Sequence, residues 1–139
     1  MKHPGRPILL VEDDQIDTMT VMRALKELHV TNPVDKAENG EAALALLRQP
    51  GASLPCLILL DLNMPVMGGI EFLRVVKAED SPLRRIPVVV LTTSEEQQDK
   101  VESFDLGVAG YIRKPVDYRR FVDTMRTINA YWTVSELPE

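Results

Sequence analysis

Cysteine is almost missing from this chain: Cys56 is the only one. One thiol cannot close a disulfide within the chain or build a cysteine metal site, and inside an apolar run it reads as a buried, inert side chain. Histidine is nearly as scarce. His3 and His29 stand far apart, which leaves a histidine-based zinc site without support. No apolar run approaches membrane-spanning length, and the first residues lack the apolar stretch of a signal peptide. The expectation is a cytoplasmic protein with no membrane segment. Positive charge is not in excess either. A net charge of −5 argues against nonspecific nucleic-acid binding and gives no sign of an anionic-membrane surface. No G-x-G-x-x-G follows the first apolar run, so a dinucleotide-binding domain lacks its fingerprint. Internal repeats and low-complexity segments are absent as well.

What remains is an ordinary globular balance. The 139 residues are 45% hydrophobic and 27% charged, enough for one domain with a filled core. We read residues 1–139 as a single domain, with a core over about 7–131 and a tail over 132–139.

The stretch Cys56-Leu57-Ile58-Leu59-Leu60-Asp61 organises the rest. Its short apolar run reads as a strand buried on both faces, as in the centre of a parallel sheet. It stops at a carboxylate, and Asn63, Pro65, Gly68 and Gly69 follow as turn formers, so Asp61 is expected at a loop edge, partly reachable by water. Ile8-Leu9-Leu10-Val11 repeats the pattern and delivers Glu12, Asp13 and Asp14. Ile86 to Leu91 is a third apolar run, and Thr92, Thr93 and Ser94 follow it. Two weaker strands are predicted at Val34–Ala37 and Ala109–Ile112, the last leading to Lys114-Pro115.

Helical spacing fills the intervals. Ile16, Met19, Met22, Leu25 and Leu28 form a stripe between Gln15 and His29, and Met19, Met22 and Met125 are read as core or interface filler. Glu41–Gln49 is rich in Ala and Leu. Ile70 to Val76 starts a third helix that Ser81-Pro82 is expected to end, and Ser94 with Glu95, Glu96 and Gln97 suggests a capped fourth. The last helix is predicted from about Asp117 to Tyr131, with Tyr118, Phe121, Met125, Ile128 and Trp132 on one stripe. Five strands alternating with five helices call for a parallel α/β sheet covered on both faces, with its crevice at the carboxyl ends of the strands.

Glu12, Asp13, Asp61, Thr92 and Lys114 then converge on one pocket if their strands are neighbours. Clustered carboxylates repel unless a cation relieves them, and oxygen-only ligands suit a hard octahedral ion, magnesium first. A lysine and a hydroxyl beside it complete what a transferring phosphoryl group needs around its oxygens. A carboxylate can be the nucleophile, forming an aspartyl phosphate. Each residue also has a plainer reading. Asp61 can cap the next helix, Thr92 can be a strand-end hydroxyl, Lys114 a surface lysine and Tyr111 a half-buried ring. Asp14 is read as an N-cap.

Leu10-Val11-Glu12-Asp13-Asp14, Leu59-Leu60-Asp61-Leu62-Asn63-Met64-Pro65 with Gly68-Gly69, Leu91-Thr92-Thr93-Ser94 and Gly110-Tyr111-Ile112-Arg113-Lys114-Pro115 resemble, in order and spacing, the motifs of the response-regulator receiver domain. The resemblance runs from Pro7 to about Tyr131. It implies a flavodoxin-like, doubly wound five-stranded sheet in the order 2-1-3-4-5 with five helices. It implies that Asp61 accepts a phosphoryl group from a histidine kinase. Asp13 would bind Mg2+ directly, Glu12 through water, and the Asn63 backbone carbonyl would be a further ligand. Thr92 and Lys114 would contact the phosphoryl oxygens, and Thr92 and Tyr111 would be the switch pair. Beyond self-phosphorylation and slow autodephosphorylation, no enzyme activity is implied.

The longer loop Ala78–Arg85 and the tail with Trp132, Val134 and Leu137 resemble the single-domain regulators paired with bacterial phytochrome kinases. That subgroup implies a phytochrome kinase as donor, a downstream protein target instead of DNA, and a homodimer through the face of the fourth helix, fifth strand and fifth helix or through a C-terminal arm. The tail can equally fold back on its own domain. Two rivals stay open. An aspartate-nucleophile phosphohydrolase would want a second Asp where Asn63 stands. A degenerate receiver, acting only as a binding module, would lack motif residues that are all present here.

Overall fold

The computed structural model describes residues 5–92, 97–113 and 117–134, with Gln97 and residues 130–134 described by backbone alone. Strands and helices alternate: β1 (Ile8–Val11), α1 (Gln15–Glu27), β2 (Val34–Ala37), α2 (Gly40–Leu47), β3 (Leu57–Leu60), α3 (Gly69–Val76), β4 (Val88–Thr92), α4 (Gln97–Asp105), β5 (Gly110–Arg113) and α5 (Tyr118–Val134). All strand pairs are parallel, in the order β2-β1-β3-β4-β5. The expected doubly wound sheet is therefore the fold of this chain. Its order reverses between β1 and β3, which sets the crevice over the ends of those two strands.

The two-residue period of a strand divides the core. Ile8, Leu10, Leu57, Leu59, Val89 and Leu91 face α1 and α5, where Val21, Ala24, Leu25, Phe121, Val122 and Met125 complete one layer. Leu9, Val11, Ile58, Leu60, Val88 and Val90 face α2 and α3, packing with Ala43, Leu44, Phe72, Leu73 and Val76. The central strands β1, β3 and β4 are buried along their whole length, whereas the edge strands β2 and β5 are partly exposed and carry Asp35, Lys36 and Arg113 on the surface. Charged, short edges of this kind discourage pairing with another sheet.

Three sequence expectations are corrected. The buried face of α1 is Val21, Ala24 and Leu25, while Ile16 and Met19 are exposed. A 13-residue helix spans about 20 Å against about 13 Å for the four-residue β1, so the first turns of α1 find no sheet to cover. α3 ends at Val76, ahead of Ser81-Pro82. Lys77 turns the chain there: its Nζ donates to the carbonyls of Arg84 at 2.8 Å and Ile86 at 2.7 Å. Half burial of that amine holds its pKa below the usual lysine value. α5 runs to Val134, past the expected end at Tyr131. The Ser94–Glu96 cap, Lys114, Pro115 and Leu137 lie outside the described residues, as do the side chains of Trp132 and Val134.

Candidate functional site

Register brings the strand ends together. Val11 pairs with Leu60, and Leu60 with Val90. Glu12 and Asp61, the residues next along β1 and β3, therefore leave the sheet side by side. Backbone bonds fix both: the Asp61 N–H donates to the Val11 carbonyl and the Glu12 N–H to the Ala37 carbonyl, each at 2.9 Å. Thr92 ends β4 on the other side of Asp61 and is fully buried.

Carboxylate oxygens of Glu12, Asp13 and Asp61 lie within 4.8 Å of one another. Glu12 and Asp61 are only 7% and 6% exposed, while Asp13 faces solvent. At that separation a pair of unit charges repels by about 3.5 kcal/mol in an effective dielectric of about 20. The cluster is therefore costly without a cation. Its all-oxygen chemistry fits a hard divalent ion such as Mg2+, and offers nothing to the softer metals that thiolates or imidazoles select.

Local structure aims these groups. Asp14 is turned away as the N-cap of α1, its Oδ1 accepting from the Asp17 N–H at 2.9 Å. The Asp14 N–H steadies Glu12 by donating to its Oε2 at 3.3 Å. The Asn63 N–H donates to Asp61 Oδ1 at 3.2 Å, and Asn63 Nδ2 donates to Thr92 Oγ1 at 3.4 Å. Asn63 thus touches both the carboxylate and the hydroxyl. Tyr111, second in β5, is half-buried with its hydroxyl enclosed, and its ring centroid is 6.3 Å from that of the half-exposed Phe104 on α4. Glu12, Asp13, Asp61, Asn63 and Thr92 are thus brought to one edge. Lys114 follows β5, whose last residue Arg113 pairs with Thr92, but it lies outside the described residues.

Asp61 is more enclosed than its loop-edge position predicts. The chain after β3 folds straight back, with the Gly69 N–H donating to the Leu62 carbonyl at 3.1 Å. A β-carbon at Gly69 would lie 2.6 Å from the Asp61 carbonyl oxygen and from Leu62 Cα. Sequence reasoning registered Gly68-Gly69 as a turn and missed this close approach. It also missed Val66, whose φ of 69° is strained for a β-branched residue, and the seat of the β3–α3 loop on Gly40. Asn39-Gly40 was visible as a turn, yet nothing in it pointed across to residue 67.

A five-stranded parallel sheet with an acidic triad at its switch point defines the class, and comparison with known proteins gives the family. The family profile of the response regulator receiver domain matches residues 8–126, and the chain belongs to that family. Its relatives identify it as a two-component response regulator. One is Response regulator Rcp1 of Synechocystis sp., 37% identical over 94% of this chain and 90% of that protein. Its Mn(2+)-bound crystal structure superposes with a TM-score of 0.84, over 96% of this chain and 99% of the other. A second is the phosphorylated cyanobacterial phytochrome response regulator RcpA, 38% identical, with a TM-score of 0.86 over 97% of this chain and 99% of that one. A third is the probable methanogenesis regulatory protein FilR2 of Methanothrix harundinacea, 40% identical over 90% of this chain and 82% of that protein. Neither the phosphohydrolase nor the degenerate receiver is favoured by these matches. No helix among the described residues is long and apolar enough to cross a membrane.

Proposed function

We propose that this chain, as a single receiver domain, accepts a phosphoryl group on Asp61 from a phosphohistidine of a sensor kinase. The observation that carries the reading is the triad itself: three carboxylates from two neighbouring strand ends within 4.8 Å, with Thr92 beside them. Asp13 and Glu12 would hold Mg2+, Glu12 through water, with Asp61 and the Asn63 carbonyl as the other protein ligands. When bound, the ion supplies positive charge for the phosphoryl oxygens. An Asp61 carboxylate oxygen attacks phosphorus and the phosphoramidate P–N bond breaks, returning the imidazole of the donor. Thr92 donates its hydroxyl to a phosphoryl oxygen, and Lys114 is assigned the ammonium that pairs with another.

The phosphoryl group adds about −1.5 to −2 charge units. Thr92 and Tyr111 form the switch pair, placed to pass that change to α4, because Tyr111 packs on Phe104. Val101 and Phe104 are exposed on α4 and give that face apolar area for a partner. We assign it, or a C-terminal arm, to a homodimer contact, with output through a protein target. The likeness to RcpA and Rcp1 favours a phytochrome kinase as donor. We place the protein in the cytoplasm, with self-phosphorylation and slow autodephosphorylation as its only catalysis.

The test is phosphorylation by acetyl phosphate with Mg2+ and by a histidine kinase. Wild type should gain one alkali- and hydroxylamine-labile phosphate per chain and Asp61→Asn none. A mutant phosphorylated to the same stoichiometry refutes the assignment.

A further inference from the structure

We propose that Gly40, the first residue of α2, is a positioning residue for the β3–α3 loop, and through it for the Asn63 carbonyl that the site reading above assigns to the divalent ion. The inference rests on that reading. The loop leaves β3 at Asp61 and re-enters regular structure at Gly69. Near its start the Asn63 N–H is tied to Asp61 Oδ1. Near its end the Met67 carbonyl accepts from the Gly40 N–H at 3.0 Å. That donor is one of the first-turn N–H groups that have no partner inside their own helix, so α2 lends it without losing a bond.

The contact is also steric. A β-carbon on Gly40 would sit 2.8 Å from Met67 Cγ, 2.9 Å from its Sδ and 3.0 Å from Phe72 Cβ. Met67 therefore lies directly on the bare backbone of Gly40. Between the two ties sits Val66, with φ of 69° and 76% of its surface exposed. A β-branched residue does not hold that conformation by itself, and an exposed side chain buries little to offset the strain. The adjoining backbone bond from the Gly40 N–H to the Met67 carbonyl supplies the restraint. Releasing it lets the loop relax and moves the Asn63 carbonyl away from the carboxylates.

The experiment uses the full chain with Gly40→Pro, Gly40→Ala and Gly40→Ala combined with Met67→Ala. Proline suits the first helical position, and it both removes the N–H and adds a β-carbon against Met67. Asn39 before it is extended, with φ of −160° and ψ of 175°, clear of the helical region that proline disfavours in its predecessor. Magnesium affinity is read by calorimetric titration, and the rate of phosphorylation by acetyl phosphate is followed against Mg2+ concentration. Gly40→Pro is expected to weaken Mg2+ binding about tenfold, a change of about 1.4 kcal/mol. The rate extrapolated to saturating Mg2+ should stay near that of wild type. Gly40→Ala should show a smaller loss that Met67→Ala reduces, because Cγ and Sδ of Met67 are the two closest of the methyl's three contacts. The proposal is overturned by unchanged affinity in Gly40→Pro, by equal losses of affinity, saturated rate and melting temperature, or by a double variant no better than Gly40→Ala. A wild-type protein that does not bind Mg2+ sinks the site reading itself, which is a separate result.

Discussion

Removing the charge of Asp61 should make the metal-free protein more stable. The triad places Asp61 within 4.8 Å of carboxylate oxygens on both Glu12 and Asp13. Each pair costs about 0.9 kcal/mol if water screens it fully and about 3.5 kcal/mol at an effective dielectric of about 20. Glu12 is buried and belongs near the upper figure, whereas exposed Asp13 belongs near the lower. Asparagine keeps the shape and can still accept the Asn63 N–H through Oδ1, so little is lost. Allowing for relaxation of the side chains, Asp61→Asn should gain about 1–3 kcal/mol, or about 3–10 °C in melting temperature for a chain this long. The assay is a pair of thermal melts in chelator at low salt, repeated with millimolar Mg2+. Bound cation stabilises wild type by mass action and the variant less, so the gap should close as Mg2+ is added. A variant that melts at or below wild type in chelator refutes the idea that this edge stores repulsion.

Two further outcomes follow from named residues. Asp13→Asn should weaken Mg2+ binding at least about tenfold, and superimposable titration curves would count against Asp13 as a ligand. Burial pushes the Cys56 thiol above its usual pKa. The neutral thiol is favoured in the folded state, so its contribution is complete below the unfolded pKa and is lost as pH rises through the folded one. Wild type should therefore lose stability relative to Cys56→Ala as pH rises above the ordinary thiol pKa of about 8.5. Parallel pH profiles would show that the thiol does not ionise on unfolding.

Sequence showed most clearly what burial on both faces writes into it. β1, β3 and β4 are continuous apolar runs because helices cover both sides, and their ends are marked by the first polar residue. Glu12, Asp61 and Thr92 were legible for that reason. What needed coordinates was length matching and contact across the chain. The stripe at Ile16 and Met19 obeys helical spacing, yet those residues overhang the sheet. Ser81-Pro82 looked like the end of α3, while Lys77 ended it earlier by binding carbonyls up to nine residues downstream. Asp61 looked half open because a turn follows it, and only the fold-back of the loop encloses it.

Gly69 has a consequence for how this chain can vary. Eight positions past Asp61, it lets α3 begin within touching distance of the backbone it has just left. Even alanine there would have to prise the helix away from the strand, widening the floor beneath the acidic cluster. Surface loops can drift through many alternatives, but this position is confined to the smallest residue by geometry alone. A lineage could trade ligands or partners far more readily than it could lengthen that one side chain.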